Sequence, residues 1–393
     1  MDPGHGYPDA AAFMKIAMVS QFFPLDAPPS CGVATATLNL CRALAAREDV
    51  ELTVLKPLAP TRKRTEVVAD GIRVIALPYG SRVPPGWAVL GGILVRLRGE
   101  LRRHAFDLVH VQDSPWICRW LPDPTLLTQH GWVEKDVVLE THRHGGRLKA
   151  AVLRLTGGWA RNRVRQVIAV SPWAARQLAS FPGRRAWVIP NALAPEDFQV
   201  RRQESAACRF LASGRVCRLK NIHGLLRAFR QVLERLPDAE LHLAGSLDDE
   251  AYLRECRLIA EDTGISGKIA FLGSLSGADL RKELAQATAL VQASYHENAP
   301  MSIAEAMAAG IPVVATAVGG VDWMLDGGKA GVLVRNPDAP GELAQAMIRL
   351  GTSADERWRL SQAGMQRAQI FRPEPVAEAT VAVYREILTN GVQ

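Results

Sequence analysis

The chain has 393 residues, 48% of them hydrophobic and 22% charged, which suffices for two domains with large cores and rules out extended disorder. The longest stretch without an acidic or basic side chain runs only from Ala306 to Val321 and is broken by Gly and Pro, so no apolar helix of ~20 residues is encoded. The net charge of +7 is unevenly placed: residues 1–190 hold 25 Lys and Arg against 15 Asp and Glu, residues 191–393 hold 22 against 25. That asymmetry predicts an anionic partner for the first half: a membrane surface, an acidic acceptor or nucleic acid.

Residues 1–12 lack a basic segment followed by an apolar one and are expected to form a loose extension, not a secretory signal. Six cysteines without a CxxC pair (Cys31, Cys41, Cys118, Cys208, Cys217, Cys256) are expected to be reduced structural thiols in a cytoplasmic protein. From Met14 the chain alternates short β-branched runs with longer amphipathic stretches. The pattern predicts strands at Ile16–Ser20, Glu51–Leu55, Ile72–Leu77, Leu108–Val111, Thr125–Gln129 and Val167–Val170, and helices at Val33–Ala46, Val89–His104, Leu148–Arg165 and Pro172–Ala179.

After a polar stretch the rhythm restarts, with strands at Arg209–Ala212, Glu240–Ala244, Ile269–Leu272, Leu290–Gln292, Val313–Ala315 and Gly331–Val334. Helices are expected at Asn221–Arg235, Glu250–Asp262, Ala344–Leu350, Ala354–Ile370 and, beyond Pro373, at Val376–Leu388. Strands that are apolar throughout imply parallel sheets covered on both faces. The predicted class is therefore α/β, two doubly wound Rossmann-like domains facing each other across a ligand cleft. The expected division is an extension 1–12, a first domain 13–190, a linker 191–207, a second domain 208–372 and a terminal helix 373–393.

No GxGxxG, P-loop, HExxH or GxSxG signature stands at a strand–helix junction, which removes the dinucleotide oxidoreductase, P-loop, zincin and serine hydrolase readings. No two aspartates are separated by a single intervening residue, so any phosphate must be held without a DxD metal clamp. The run FLASGRVCRLKNIHG at 210–224 reads as a strand, a glycine turn and a basic loop capped by Asn221. Its cations Arg215, Arg218 and Lys220 suit a diphosphate, each contact contributing ~1.5–3 kcal/mol, or else form a solvated basic loop.

The run YHENAPMSIAEAMAAGIPVV at 295–314 places Glu297 in a loop and Glu305 on a helix. The amides of Ala299, Met301 and Ser302 would lie near that helix's N-terminus, an anion seat from which Pro300 is exempt. The two carboxylates suit ribose and sugar hydroxyls, with helix capping as the alternative for Glu305. Val318-Gly-Gly320 is a flexible turn that lets backbone approach a ligand, and Cys31-Gly32-Val33 enters a helix as a second anion seat or an ordinary turn. His110 and His130 are expected at strand ends on the cleft side, as site residues or as satisfied structural histidines.

The segments ASGRVCRLKNIHGLLRAF and HENAPMSIAEAMAAGIPVVATAVGG, with LVHVQ, TQHG, VIAVSPWAARQL and VIPNAL upstream, resemble the family 4 retaining glycosyltransferases of the GT-B fold. The likeness runs from about Lys15 to the C-terminus. The family's two glutamates separated by seven residues match Glu297 and Glu305. The resemblance implies that Arg215 and Lys220 bind the donor diphosphate and Glu305 the ribose. It further implies that Glu297, with the backbone of Asn298, Ala299, Met301 and Ser302, holds the sugar hydroxyls. Gly32 would lie against the phosphates from the opposite domain, and His130 near the transferring sugar. His130, Glu297, Arg215 and Lys220 are thus the expected catalytic group, with no metal and no cofactor, the nucleoside-diphosphate sugar being a substrate. Four positions depart from the family: Cys31 and Asn221 replace glycines, and Val321-Asp322 replaces Pro-Glu.

The expected activity is retaining transfer of a sugar to an acceptor hydroxyl in glycolipid or surface polysaccharide assembly. The alternatives are a nucleotide-sugar epimerase of the same fold and a non-catalytic sugar-nucleotide-binding protein. The apolar-then-basic stretch Trp87–Arg103 and the cations Arg143, Arg147, Lys149, Arg154, Arg161, Arg163, Arg165 and Arg176 either rest on an anionic membrane face or form the outer faces of ordinary amphipathic helices. Nucleic acid is not expected as a partner, because no reader motif accompanies the charge.

Overall fold

The computed structural model describes residues 13–25, 29, 31–59, 63–78, 87–132, 135–137, 144–181, 183–203 and 208–390. The extension 1–12, Arg143, and the side chains of Trp87, Arg147 and Lys149 lie outside the described residues.

The first sheet contains β1 (Met14–Val19), β2 (Val50–Ala59), β3 (Thr65–Ala69), β4 (Ile72–Pro78), β5 (Leu108–Gln112), β6 (Thr125–Gln129), β7 (Gln166–Ala169) and β8 (Arg185–Val188). Their order is β3-β4-β2-β1-β5-β6-β7-β8, parallel except where β3 runs against β4. The second sheet contains β9 (Arg209–Ser213), β10 (Glu240–Ala244), β11 (Ile269–Gly273), β12 (Ala289–Gln292), β13 (Val313–Thr316) and β14 (Val332–Val334). It is parallel throughout, in the order β11-β10-β9-β12-β13-β14.

Side chains alternate between the two faces of a strand, and here both faces are covered. Ile16 and Met18 join Leu108, Leu126 and Ile168 in one buried layer, while Ala17 and Val19 join Val109, Val111 and Leu127 in the other. The strands β3 and β8 carry no such apolar run. Both are edge strands with mostly exposed residues, and periodicity alone does not find them. The helix expected at Leu148–Arg165 instead spans His144–Arg161, because the chain turns through Val164, whose amide bonds Arg161 O, before Gln166 enters β7.

The last helix, Pro373–Asn390, lies on the first sheet. Val376, Ala377, Val381, Val383, Tyr384 and Ile387 share a core with Ile16, Leu52 and Leu108. Glu386 accepts the Trp187 indole N–H at 3.1 Å and pairs with Arg185, and Arg385 meets Asp49 at 2.5 Å. The crossing between the domains is packed where a polar linker was expected. Ala192 belongs to the first core and Leu193 to the second, and the turn Pro195–Gln199 buries Asp197 against Arg281, 3.1 Å away. In each sheet the strand order reverses beside one pair, β1/β5 in the first and β9/β12 in the second. The crevices at the carboxyl ends of those pairs are the natural ligand seats of such sheets.

Candidate active site

After β9 the chain turns at Gly214, whose φ is 147°, and Arg215 stands exposed on the lip. Asn221 adopts a left-handed conformation, φ 51°, and accepts the Gly224 N–H at 3.1 Å, which starts the helix Ile222–Leu233. Lys220, just before this cap, reaches the loop after β12, where its Nζ donates to Glu297 Oε1 at 2.5 Å. The same oxygen accepts from Ser294 Oγ at 2.7 Å and from Gln292 Nε2. One cation and two neutral donors therefore compensate a carboxylate that is only 8% exposed. Gly319 and Gly320 press against the backbone of this loop. A Cβ at Gly319 would lie 1.6 Å from the Glu297 carbonyl oxygen, and one at Gly320 1.9 Å from that of Asn298.

The helix Met301–Ala308 starts directly beyond Pro300, and Ser302 Oγ donates to Gln292 Oε1 at 3.1 Å. Across the cleft, Gly32 opens the helix Gly32–Ala45, and a Cβ on it would sit 3.5 Å from Met301 Cγ. Two helix N-termini from opposite domains thus abut, and both direct positive dipole ends toward one region.

On the first domain, Asp113 Oδ1 accepts the backbone N–H groups of His130 at 3.1 Å and Gly131 at 3.2 Å, and Gln129 Nε2 at 3.1 Å. Burial pushes the Asp113 carboxyl up to about 7, opposed by those backbone donors. The His130 ring bonds through Nε2 to Gln112 Oε1 at 2.8 Å, and burial holds its pKa down at about 4, so it is neutral at physiological pH. Asn298 joins the two domains: its Nδ2 donates to the His130 carbonyl at 2.7 Å, and its Oδ1 accepts from Ser171 Oγ at 2.7 Å. Asn191 donates to the Ala299 carbonyl at 3.3 Å, and His296 meets Asp136 at 3.0 Å.

Glu305 does not join Glu297. It lies one turn beyond Ser302 and lines a cavity of about 550 Å³ with Thr35 and Asn39 of the first domain and with Asp197, Arg281 and Leu284. Burial, reinforced by the Asp197 charge and partly offset by Arg281, pushes its carboxyl up to about 8. Two of the open alternatives resolve away from the cleft. Arg218 turns away from the cleft, bonding both oxygens of Glu255 at 2.5 and 2.7 Å and stacking 5.1 Å from the centre of the Tyr252 ring. His110 is fully buried in the first domain between Tyr384 Oη at 2.7 Å and Thr128 Oγ1 at 2.6 Å.

The structure adds Gln112, Asp113, Ser171, Gln292 and Ser294 to the cleft. The available sequence signal was a polar residue closing an otherwise apolar strand, as in LVHVQ and ALVQ. Among the described residues, no group of three or more His, Cys, Asp and Glu side chains is placed to hold a metal ion.

Two family models match consecutive parts of the chain: Glycosyltransferase Family 4 over residues 31–197 and Glycosyl transferases group 1 over residues 195–367. The D-inositol 3-phosphate glycosyltransferase of Corynebacterium jeikeium is 34% identical over 184 residues, which span 45% of this chain and 43% of that protein. The phosphatidyl-myo-inositol mannosyltransferase of Mycobacterium leprae is 28% identical over 96% of this chain and 98% of its own. Among solved structures, a sucrose-phosphate synthase from Thermosynechococcus elongatus superposes with a TM-score of 0.82 at 21% identity, covering 96% of this chain and all of that one. The chain is a family 4-like glycosyltransferase of the GT-B fold.

Proposed function

We propose that this enzyme moves a sugar from a nucleoside-diphosphate donor to an acceptor hydroxyl with retention at the anomeric carbon. The observation that carries the reading is the convergence of Lys220 and Glu297 from the second domain with His130 from the first, spanned by Asn298. Lys220 has three donor hydrogens, so it can keep Glu297 and still meet a diphosphate, with Arg215 on the lip as the second cation. Glu297, Asn298, Ala299, Met301 and Ser302 would hold the sugar, Glu305 the ribose, and Gly32 would lie against the phosphates. In transfer, the bond from the anomeric carbon to phosphate oxygen breaks and that to the acceptor oxygen forms. The acceptor proton passes to the leaving phosphate, whose charge the cations and helix N-termini stabilise. With its ring neutral and bonded to Gln112, His130 serves this step as a positioned neighbour of the sugar.

The acceptor we propose is lipid-linked or membrane-presented, in glycolipid or surface polysaccharide assembly at the cytoplasmic face. One of the relatives carries a lipid, phosphatidyl-myo-inositol, in its name. The helix His144–Arg161 exposes Val152, Leu155 (73%) and Trp159 (50%), and Trp120 stands beside them with Arg119 stacked 3.7 Å from the centre of the Trp159 ring. Arg154, Arg163 and Arg165 are exposed nearby. Exposed apolar side chains with exposed arginines close to them in sequence suit an anionic lipid surface, at ~1 kcal/mol per cation. Thermal shifts with uridine, guanosine and adenosine diphosphate sugars test the donor. Sedimentation with anionic and neutral vesicles at low and high salt tests the acceptor side. No shift with any donor overturns the first part, and equal recovery in every supernatant overturns the second.

A further inference from the structure

We infer that Gln112 is a positioning residue for His130, the cleft end of a hydrogen-bonded chain of buried side chains that begins at Tyr384 on the last helix. The inference rests on the reading of this cleft as the sugar site. Leu108, His110 and Gln112 alternate onto one face of β5, the face covered by Pro373–Asn390. Gln112 lies in register with Thr128 of β6, which brings His130, two residues further on, beside it. Both His110 and Gln112 are completely buried. The links run from Tyr384 Oη to His110 Nδ1 at 2.7 Å, from His110 Nε2 to Gln112 Nε2 at 3.2 Å, and from Gln112 Oε1 to His130 Nε2 at 2.8 Å.

An amide has a donor end and an acceptor end, and its surroundings here define which is which. Gln112 Nε2 also lies 3.1 Å from Met18 Sδ, an acceptor only. The amide hydrogens therefore face Met18 and His110, and the oxygen faces His130. Facing the Gln112 amide hydrogens, His110 Nε2 presents its one lone pair, with the Thr128 hydroxyl 2.6 Å away on the same side, and so its Nδ1–H donates to Tyr384. His130 in turn must carry its proton on Nε2. Burial keeps both rings neutral, at about 3 for His110 and about 4 for His130, against an Asn191 hydrogen bond that opposes the shift at His130, so each ring has a single proton, which the chain directs toward Tyr384 in His110 and toward Gln112 in His130. The same residue's carbonyl accepts from Asn298, next to Glu297.

Histidine nitrogen NMR of the intact protein reads the tautomers directly. The wild-type protein should show Nε2–H at His130 and Nδ1–H at His110; the opposite pair overturns the chain. Gln112→Met keeps length and removes both polar ends. It should leave His130 in mixed tautomers and lower kcat by at least about tenfold while donor KM moves less than about threefold. Unchanged kcat or an unchanged tautomer overturns the assignment. Should that variant fail to fold, Tyr384→Phe removes one oxygen at the far end. His110 should then shift toward Nε2–H, with kcat lowered by about threefold, and a spectrum identical to wild type refutes the coupling. If no donor supports transfer, the functional reading fails, while the spectra still decide this proposal.

Discussion

Glu305→Gln should stabilise the protein at alkaline pH and leave its acid stability unchanged. The Glu305 carboxyl is raised to about 8 from an ordinary 4.5, by burial first and by the neighbouring Asp197 charge second, against an opposing Arg281. Because its folded pKa lies above its unfolded one, the native state binds the extra proton between pH 4.5 and 8. Stability must then fall as pH rises through that window. At 1.36 kcal/mol per unit of pKa, the loss from pH 5 to pH 8 is about 4 kcal/mol for a carboxyl cut off from water. Glu305 keeps some solvent contact, which reduces this to roughly 2 kcal/mol. Glutamine has the shape of the protonated acid and no charge to desolvate. Asp197, also raised by burial, is present in both proteins and largely cancels from their difference. Urea unfolding of the two at pH 5, 6.5 and 8 should give midpoints that coincide at pH 5 and separate progressively above it. A gap independent of pH, or a variant less stable at pH 8, refutes the reasoning.

Three further outcomes are expected. Lys220→Ala should weaken donor binding by at least about tenfold, since a charge-assisted bond to phosphate is worth ~1.5–3 kcal/mol, and calorimetry showing parent-like affinity counts against it. EDTA should leave transfer rates unchanged, because Arg215, Lys220 and helix N-termini supply the positive charge; a strict need for Mg²⁺ or Mn²⁺ would contradict this. A chain ending at Arg372 should lose the first domain's fold, since it removes Val376, Val381, Val383, Tyr384 and Ile387 from the core, each worth ~1.5–3 kcal/mol; a soluble, fully active product refutes that.

The interior strands were legible because each is a short apolar run bounded by turn residues, and β6 and β10 begin and end at the residues the pattern indicates. The edge strands β3 and β8 were not, since half-solvated strands need no apolar run. The loop cations and acids were legible as candidates, but their partners were not. Arg215, Arg218 and Lys220 look alike within one basic loop, and only the helix Glu250–Asp262, which carries Glu255 beneath Arg218, separates them.

Composition and local periodicity by themselves determined the two parallel α/β domains and the loops that carry charge at strand ends, while Glu297 and Glu305 stood out as a pair through the resemblance to family 4 enzymes. These are properties of neighbouring residues, encoded in alternation, turn chemistry and spacing. Tertiary structure alone decided that Lys220 pairs with Glu297, 77 residues away, that Asn298 reaches His130 across 168, and that His110 is taken out of the cleft by Tyr384 across 274. Such contacts depend on strand register, on the return of the last helix and on how the domains close. No local pattern carries that information, because a polar residue at a strand end looks the same whether it faces a ligand or a partner in the core.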